Sequence, residues 1–228
     1  EAAIPFAQDS DATIREATLA LSHGLSRWRD DADENAPMRA DLPAEHMQEM
    51  LWTTAAILAQ RIAPMDLMPY GALLGRVEDA GQQVLASHDE QRGPFGQAAR
   101  LAHQLHDRWI DDETLVGLAQ EGHYVHLFAL IADRCGLNVA DLASAIINGT
   151  ADDARLLFRA ADMPPACFAI TLLALRQVRD GPGDKQIESL FHRFEELSIE
   201  DARMKIMPLA VSTGLRSAFA RLGEGAGR

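Results

Sequence analysis

The chain has 228 residues, 47% hydrophobic and 24% charged, with a formal net charge of −13 at pH 7. That balance suits a soluble globular protein with one sizeable core or two small ones. The acidic excess argues against nucleic acid, whose binding begins by neutralising phosphates, and against anionic membrane surfaces for the same reason.

Periodicity is helical throughout, without a convincing stretch of strand alternation. An all-α fold is expected: an N-terminal helical bundle over residues 1–90, then stacked helical hairpins over 94–222, HEAT-like or α-solenoid-like. One continuous domain is the other reading. Residues 1–10 read as a loose lead-in. Residues 1–50 hold eleven acids against four arginines, as a solvated acidic face would. Asp11 is placed to cap a helix with Ile14, Leu21, Leu25 and Trp28 on one face. Arg29 to Pro43 is polar and contains proline, so it reads as a loop. Asp41 then precedes a helix with Pro43 in its first turn and an apolar stripe of Met47, Met50, Leu51, Leu58 and Ile62. Ala63 to Gly71 breaks that helix. The next, with Leu73, Leu74, Val77, Val84 and Leu85, runs to about Ser87. Ser87 to Gly96 reads as a connector and a boundary.

The sequence then repeats. LAHQLHDRWIDDETLVGLA from Leu101, LFALIADRCGLNVADLASAI from Leu127 and ARLLFRAADMPPACFAITLL from Ala154 align, with Ile110, Leu137 and Met163 in register 27 and then 26 residues apart. Leu115, Leu142 and Phe168 lie five residues further on. Each unit reads as helix, tight turn, helix. Gly136 and Asp162 suit the left-handed residue that ends a helix. Asp111 and Asp112, Asn138, and Pro164 with Pro165 start the next one. Such hairpins must stack to bury an apolar face. After Gly183 a helix is expected from Asp184 with Ile187, Leu190, Phe191 and Phe194. Ser198 and Asp201 resemble a capping box. Pro208 bends or ends the following helix, and a last one runs from Leu209 to about Leu222 before a frayed tail.

Four histidines invite a metal reading. HQLHDRW holds His103 and His106, and GHYVHLF holds His123 and His126. Three or four nitrogens would have to converge within ~2.0–2.2 Å of one ion, yet these four occupy non-equivalent repeat positions. His106–Asp107 could also be the adjacent pair of an HD-type phosphohydrolase, with His88 upstream and His123, His126 and Asp133 downstream, using metal-activated water on a phosphoester. The repeat explains the same residues as periodic positions. Phosphate loops, nucleophile elbows and zinc-protease motifs are absent. Cys135, at a helix C-terminal end, is poorly placed for a thiolate. Asp111-Asp112-Glu113 and Asp152-Asp153 read as N-terminal helix charges.

Three stretches carry a family resemblance: GHYVHLFALIADRCGL from Gly122, LLFRAADMPPACF from Leu156 and WIDDETLVGLAQEG from Trp109. The region from about Leu101 to Leu175 resembles the bacterial family catalogued as domain of unknown function 2336. That resemblance implies an all-helical, HEAT-like fold and offers no catalytic residues.

The leading expectation is a non-enzymatic interaction or regulatory module with a protein partner, and homodimerisation as a possibility. Its exposed rows would hold His106, Asp133 and Arg159, and Asp107 and Arg134. No cofactor is expected. The metal alternative would use His103, His106, Asp107, His123 and His126. A small-molecule sensor binding between helices is a third reading. No apolar run approaches the ~20 residues that span a bilayer, and no signal-peptide pattern opens the sequence. With Cys135 and Cys167 in apolar patterns suited to reduced thiols, cytoplasmic residence is expected.

Overall fold

A computed structural model describes residues 4–29, 44–65, 68–176 and 183–211. All regular structure among them is helical. Arg29, expected to open a loop, is the last residue of a helix; the rest of that loop to Pro43, the Asp41 and Pro43 helix start, and nearly all of the last helix fall outside the described residues. The chain forms two compact units, Glu1–Asp30 with Pro94–Arg228, and Asp31–Gly93.

In the larger unit, α1 (Ala12–Arg29) packs along α4 (Pro94–Gln104). Three hairpin steps follow: α4 with α5 (Asp112–Gln120), α6 (Tyr124–Cys135) with α7 (Val139–Asn148), and α8 (Ala151–Ala160) with α9 (Pro165–Leu175). They are followed by α10 (Asp184–Glu196) and α11 (Ile199–Ile206). A 3₁₀ turn over Met207–Ala210 follows α11, where Pro208 was expected to bend or end a helix.

The helix starts are chemical. Side chains of Asp11 and Asp111 accept from the Thr13 and Thr114 amides, and Asn138 accepts from the amides of Ala140 and Asp141. Thr150 and Asp153 form a reciprocal capping box, and Ser198 accepts from the Asp201 amide. Each satisfies amides that have no partner inside the helix.

The stops recur too. Gly136 (φ 65°) and Asp162 (φ 52°) are left-handed. The following N–H closes on a carbonyl five residues back, Leu137 on Ala132 at 2.8 Å and Met163 on Phe158 at 3.0 Å. This 6→1 closure is the Schellman motif. The two residues aligned by the repeat thus occupy the same position in the same motif. Gly122 (φ 77°) ends α5 likewise, with the His123 N–H on the Leu118 carbonyl at 2.8 Å.

The core follows the expected register: Leu115, Leu142 and Phe168 are each buried, as is Met163, and Leu137 packs on the core's edge. Phe158, Phe168 and Phe194 tie α8, α9 and α10 together, with ring centroids 5.8 and 5.2 Å apart. The stack is more closed than a linear pile. α6 is flanked by α4, α5, α7 and α8, and α5 also packs on α9. Hence every residue from His126 to Ala132 is buried. The lead-in is tied down as well: Arg108 holds the Asp9 carboxylate at 3.0 and 3.1 Å, and Arg15 donates to the Asp9 carbonyl at 2.7 Å.

The smaller unit is a hairpin of α2 (Ala44–Ile62) and α3 (Tyr70–Ser87). Gly81 permits close approach: a Cβ there would lie 2.7 Å from the Trp52 ring. The Ala44 amide donates to the Glu90 carboxylate at 3.0 Å, joining the start of α2 to the turn after α3.

Candidate functional site

The residues expected to form an exposed row lie along one series of inter-helix seams. His106, in the turn after α4, donates from Nδ1 to Asp133 Oδ2 on α6 at 2.6 Å. Arg134 donates from Nη1 to the Ala161 carbonyl at 3.2 Å and approaches the Met163 sulfur at 3.4 Å. Both His106–Asp133 and Arg134–Ala161 span 27 residues, one repeat. Further on, Arg159 donates from Nε to the Leu197 carbonyl at 2.6 Å, with its guanidinium carbon 5.6 Å from the centre of the Phe194 ring. Arg155 and Arg203 reach the carbonyls of Arg193 and Ala160, both at 3.0 Å. Periodic polar residues therefore stitch each hairpin to a later one. Asp107 is exposed beside His106.

Electrostatics separates the histidines. His106 is exposed, and its hydrogen bond and attraction to Asp133 hold its pKa above the ordinary histidine value. His126 is 3% exposed with neither ring nitrogen hydrogen-bonded. Burial, helped by His123, pushes its pKa down to about 4, so the ring is neutral at pH 7. His123 Nε2 lies 3.3 Å from the Glu121 carboxylate without hydrogen-bond alignment. His103 is exposed, its ring centroid 6.5 Å from that of His106. Those of His123 and His126 are 5.4 Å apart, edge to face.

Among the described residues, no group of three or more His, Cys, Asp or Glu is placed to hold a metal ion. The phosphohydrolase alternative thus has no ligand set there: His106 engages Asp133, and His126 is enclosed. Burial pushes the thiols of Cys135 and Cys167 each up to about 11, away from thiolate chemistry.

One residue was missed by the sequence reading. Trp109, between α4 and α5, is 89% exposed. It aligns with Gly136 and Asp162, the positions that end α6 and α8. In the first hairpin α4 stops earlier, at Gln104, and tight turns through Arg108 leave the indole outside. Nothing in the hairpin's own closure calls for a tryptophan there, and the mismatch within the alignment was the available signal.

Fold and surface together define an all-helical protein of stacked hairpins with a polar seam and an exposed indole. No described helix is long and apolar enough to cross a membrane. The chain belongs to the family described as "Uncharacterised protein conserved in bacteria (DUF2336)", whose model matches residues 2–206. No curated protein and no solved structure matches it.

Proposed function

We propose that the protein is a non-enzymatic, cytoplasmic interaction module that binds a protein partner with the surface around the α4–α5 turn. The observation that carries this reading is Trp109, 89% exposed and flanked by His106, Asp107 and Arg108. Indole is the side chain most enriched at binding hot spots, where a large rigid apolar surface is desolvated inside a polar rim. A tryptophan left in water forgoes the stability that burying it would give. The seam residues Asp133, Arg134 and Arg159 are partly exposed, with spare donors on both arginines. Their intramolecular bonds fix the side chains in advance, which lowers the entropy lost on binding.

The test is affinity capture from the native cell with wild-type chain and with Trp109→Ala. The substitution touches no core residue, so the variant keeps its melting temperature. A defined set of proteins retained by wild type and lost from the variant supports the reading. The same proteins retained by both would contradict it.

A further inference from the structure

Arginine is used in two ways along the seams. Arg155 and Arg193 share the Asp152 carboxylate at 2.9 and 3.3 Å, and Arg108 holds Asp9. Arg134 and Arg203 have no ion-pair partner among the described residues, in a chain with 34 acids. Both reach one place, the turn that ends α8. Arg134, in the last turn of α6, donates from Nη1 to the Ala161 carbonyl at 3.2 Å, and Arg203 on α11 donates from Nε to the Ala160 carbonyl at 3.0 Å. Consecutive residues stand ~3.8 Å apart, so the two bonded nitrogens lie within about 10 Å of each other. Cys135 registers both charges, for these two guanidiniums pull its thiol pKa down against burial. Helix capping accounts for one such cation, since a helix C-terminus carries about half a negative charge. Two full charges on adjacent carbonyls repel each other, and a neutral amide would satisfy either carbonyl. Each fork has five N–H donors, yet each engages the described chain through a single nitrogen.

We propose that the turn after α8 is a binding site for a phosphate dianion, free or as a monoester, gripped between Arg134 and Arg203. Two forks without counter-ions match the charge of about −2 that a phosphate monoester carries near pH 7. A carboxylate supplies half of that, and no described carboxylate pairs with either fork. Charge-assisted bonds of ~2.8 Å to oxygens on two sides of a tetrahedral phosphate span most of the gap between the guanidiniums. One nitrogen of each fork is already tied to the backbone, which fixes the forks before the ligand arrives. Arg159 flanks the pair, its Nη1 4.0 Å from Asp162 and so beyond hydrogen-bond reach. The net charge of −13 repels extended polyanions, so the ligand is one compact phosphate group. The site does not use Trp109, and its failure is therefore distinguishable from failure of the partner surface proposed above.

The test is NMR titration of the arginine Nε–H resonances of the full chain with inorganic phosphate, methyl phosphate and acetate, at pH 7 and constant ionic strength. Saturable shifts of Arg134 and Arg203 are expected with the phosphates and not with acetate. The tighter of the two phosphates assigns the source, a free ion or an ester. Arg134→Gln and Arg203→Gln each keep a donor for the carbonyl and should weaken binding by about tenfold or more. Arg203→Lys, which keeps the charge without the fork, should weaken it too. Arg203 is exposed, so its variants should keep the wild-type melting temperature and decide the matter even if Arg134→Gln folds poorly. Trp109→Ala should leave phosphate binding unchanged. Absence of saturation with either phosphate overturns the proposal, as does undiminished binding in Arg203→Gln or acetate binding as tight as phosphate.

Discussion

His106 and Asp133 stand one repeat apart in sequence and 2.6 Å apart in space. The bond joins the turn after α4 to the last turns of α6, and its carboxylate raises the His106 pKa. In the unfolded chain histidine titrates near 6.5. The pair's contribution is therefore fully present below that pH and lost as pH rises through the higher folded value. Because the imidazole is exposed, His106→Ala should change the melting temperature little. Asp133→Asn should bring the His106 pKa, read by NMR titration, back towards the ordinary value. No change in that titration would mean the pair does not form in solution.

His126 behaves oppositely. Its folded pKa, about 4, lies below the unfolded value of ~6.5. Between those limits the unfolded chain binds more protons, so stability falls as pH drops through this window. His126→Leu removes that acid sensitivity while filling nearly the same buried space. Urea midpoints at pH 7 and pH 5 should move apart by less in the variant than in wild type. An equal spread in both proteins would show that His126 is not buried neutral.

The aligned core positions should be intolerant of charge. Leu142 and Phe168 are each 1% exposed. Leu142→Asp or Phe168→Asp places an unpaired carboxylate there, at a cost of several kcal/mol against a total stability of ~5–15 kcal/mol. Phe168→Ala, which removes the middle ring of the Phe158–Phe168–Phe194 series, should cost ~3–5 kcal/mol. Wild-type-like melting of either aspartate variant would contradict the register.

The helix stops give a prediction of opposite sign. Asp162 holds a left-handed φ of 52° where the preceding step has Gly136. Asp162→Gly should stabilise by about 0.5–1 kcal/mol, and Gly136→Ala should destabilise by a similar amount. Chemical denaturation of both variants checks the pair. Stabilisation by Gly136→Ala would be incompatible with a left-handed residue there.

Much of this architecture was legible because folding chemistry is periodic. The caps at Asp111, Asn138 and Ser198, the stops at Gly136 and Asp162, and the buried Leu115, Leu142 and Phe168 all sit where spacing and residue type put them. The packing of α5 on α9 was not legible, since a 26–27-residue period reports only which segments are equivalent. The histidines show the same boundary. HQLH and HYVH share one spacing, yet the first ends a helix in water, while the second follows the left-handed Gly122 into the most enclosed helix. The His106–Asp133 bond was within reach, because the two residues aligned in the repeat. Their alignment was read as exposure, whereas equivalent positions of stacked hairpins also touch. Trp109 is legible only as a mismatch within the repeat, a bulky indole where the next two steps have Gly136 and Asp162.

Native-state hydrogen exchange on the full chain tests the central claim most directly, that stacked hairpins enclose α6 at the centre of one cooperative unit. The amides from Leu127 to Ala132 should be the slowest in the chain, exchanging only through global unfolding, and α2 and α3 should exchange faster. Exchange in α6 as fast as in α2 would contradict the account.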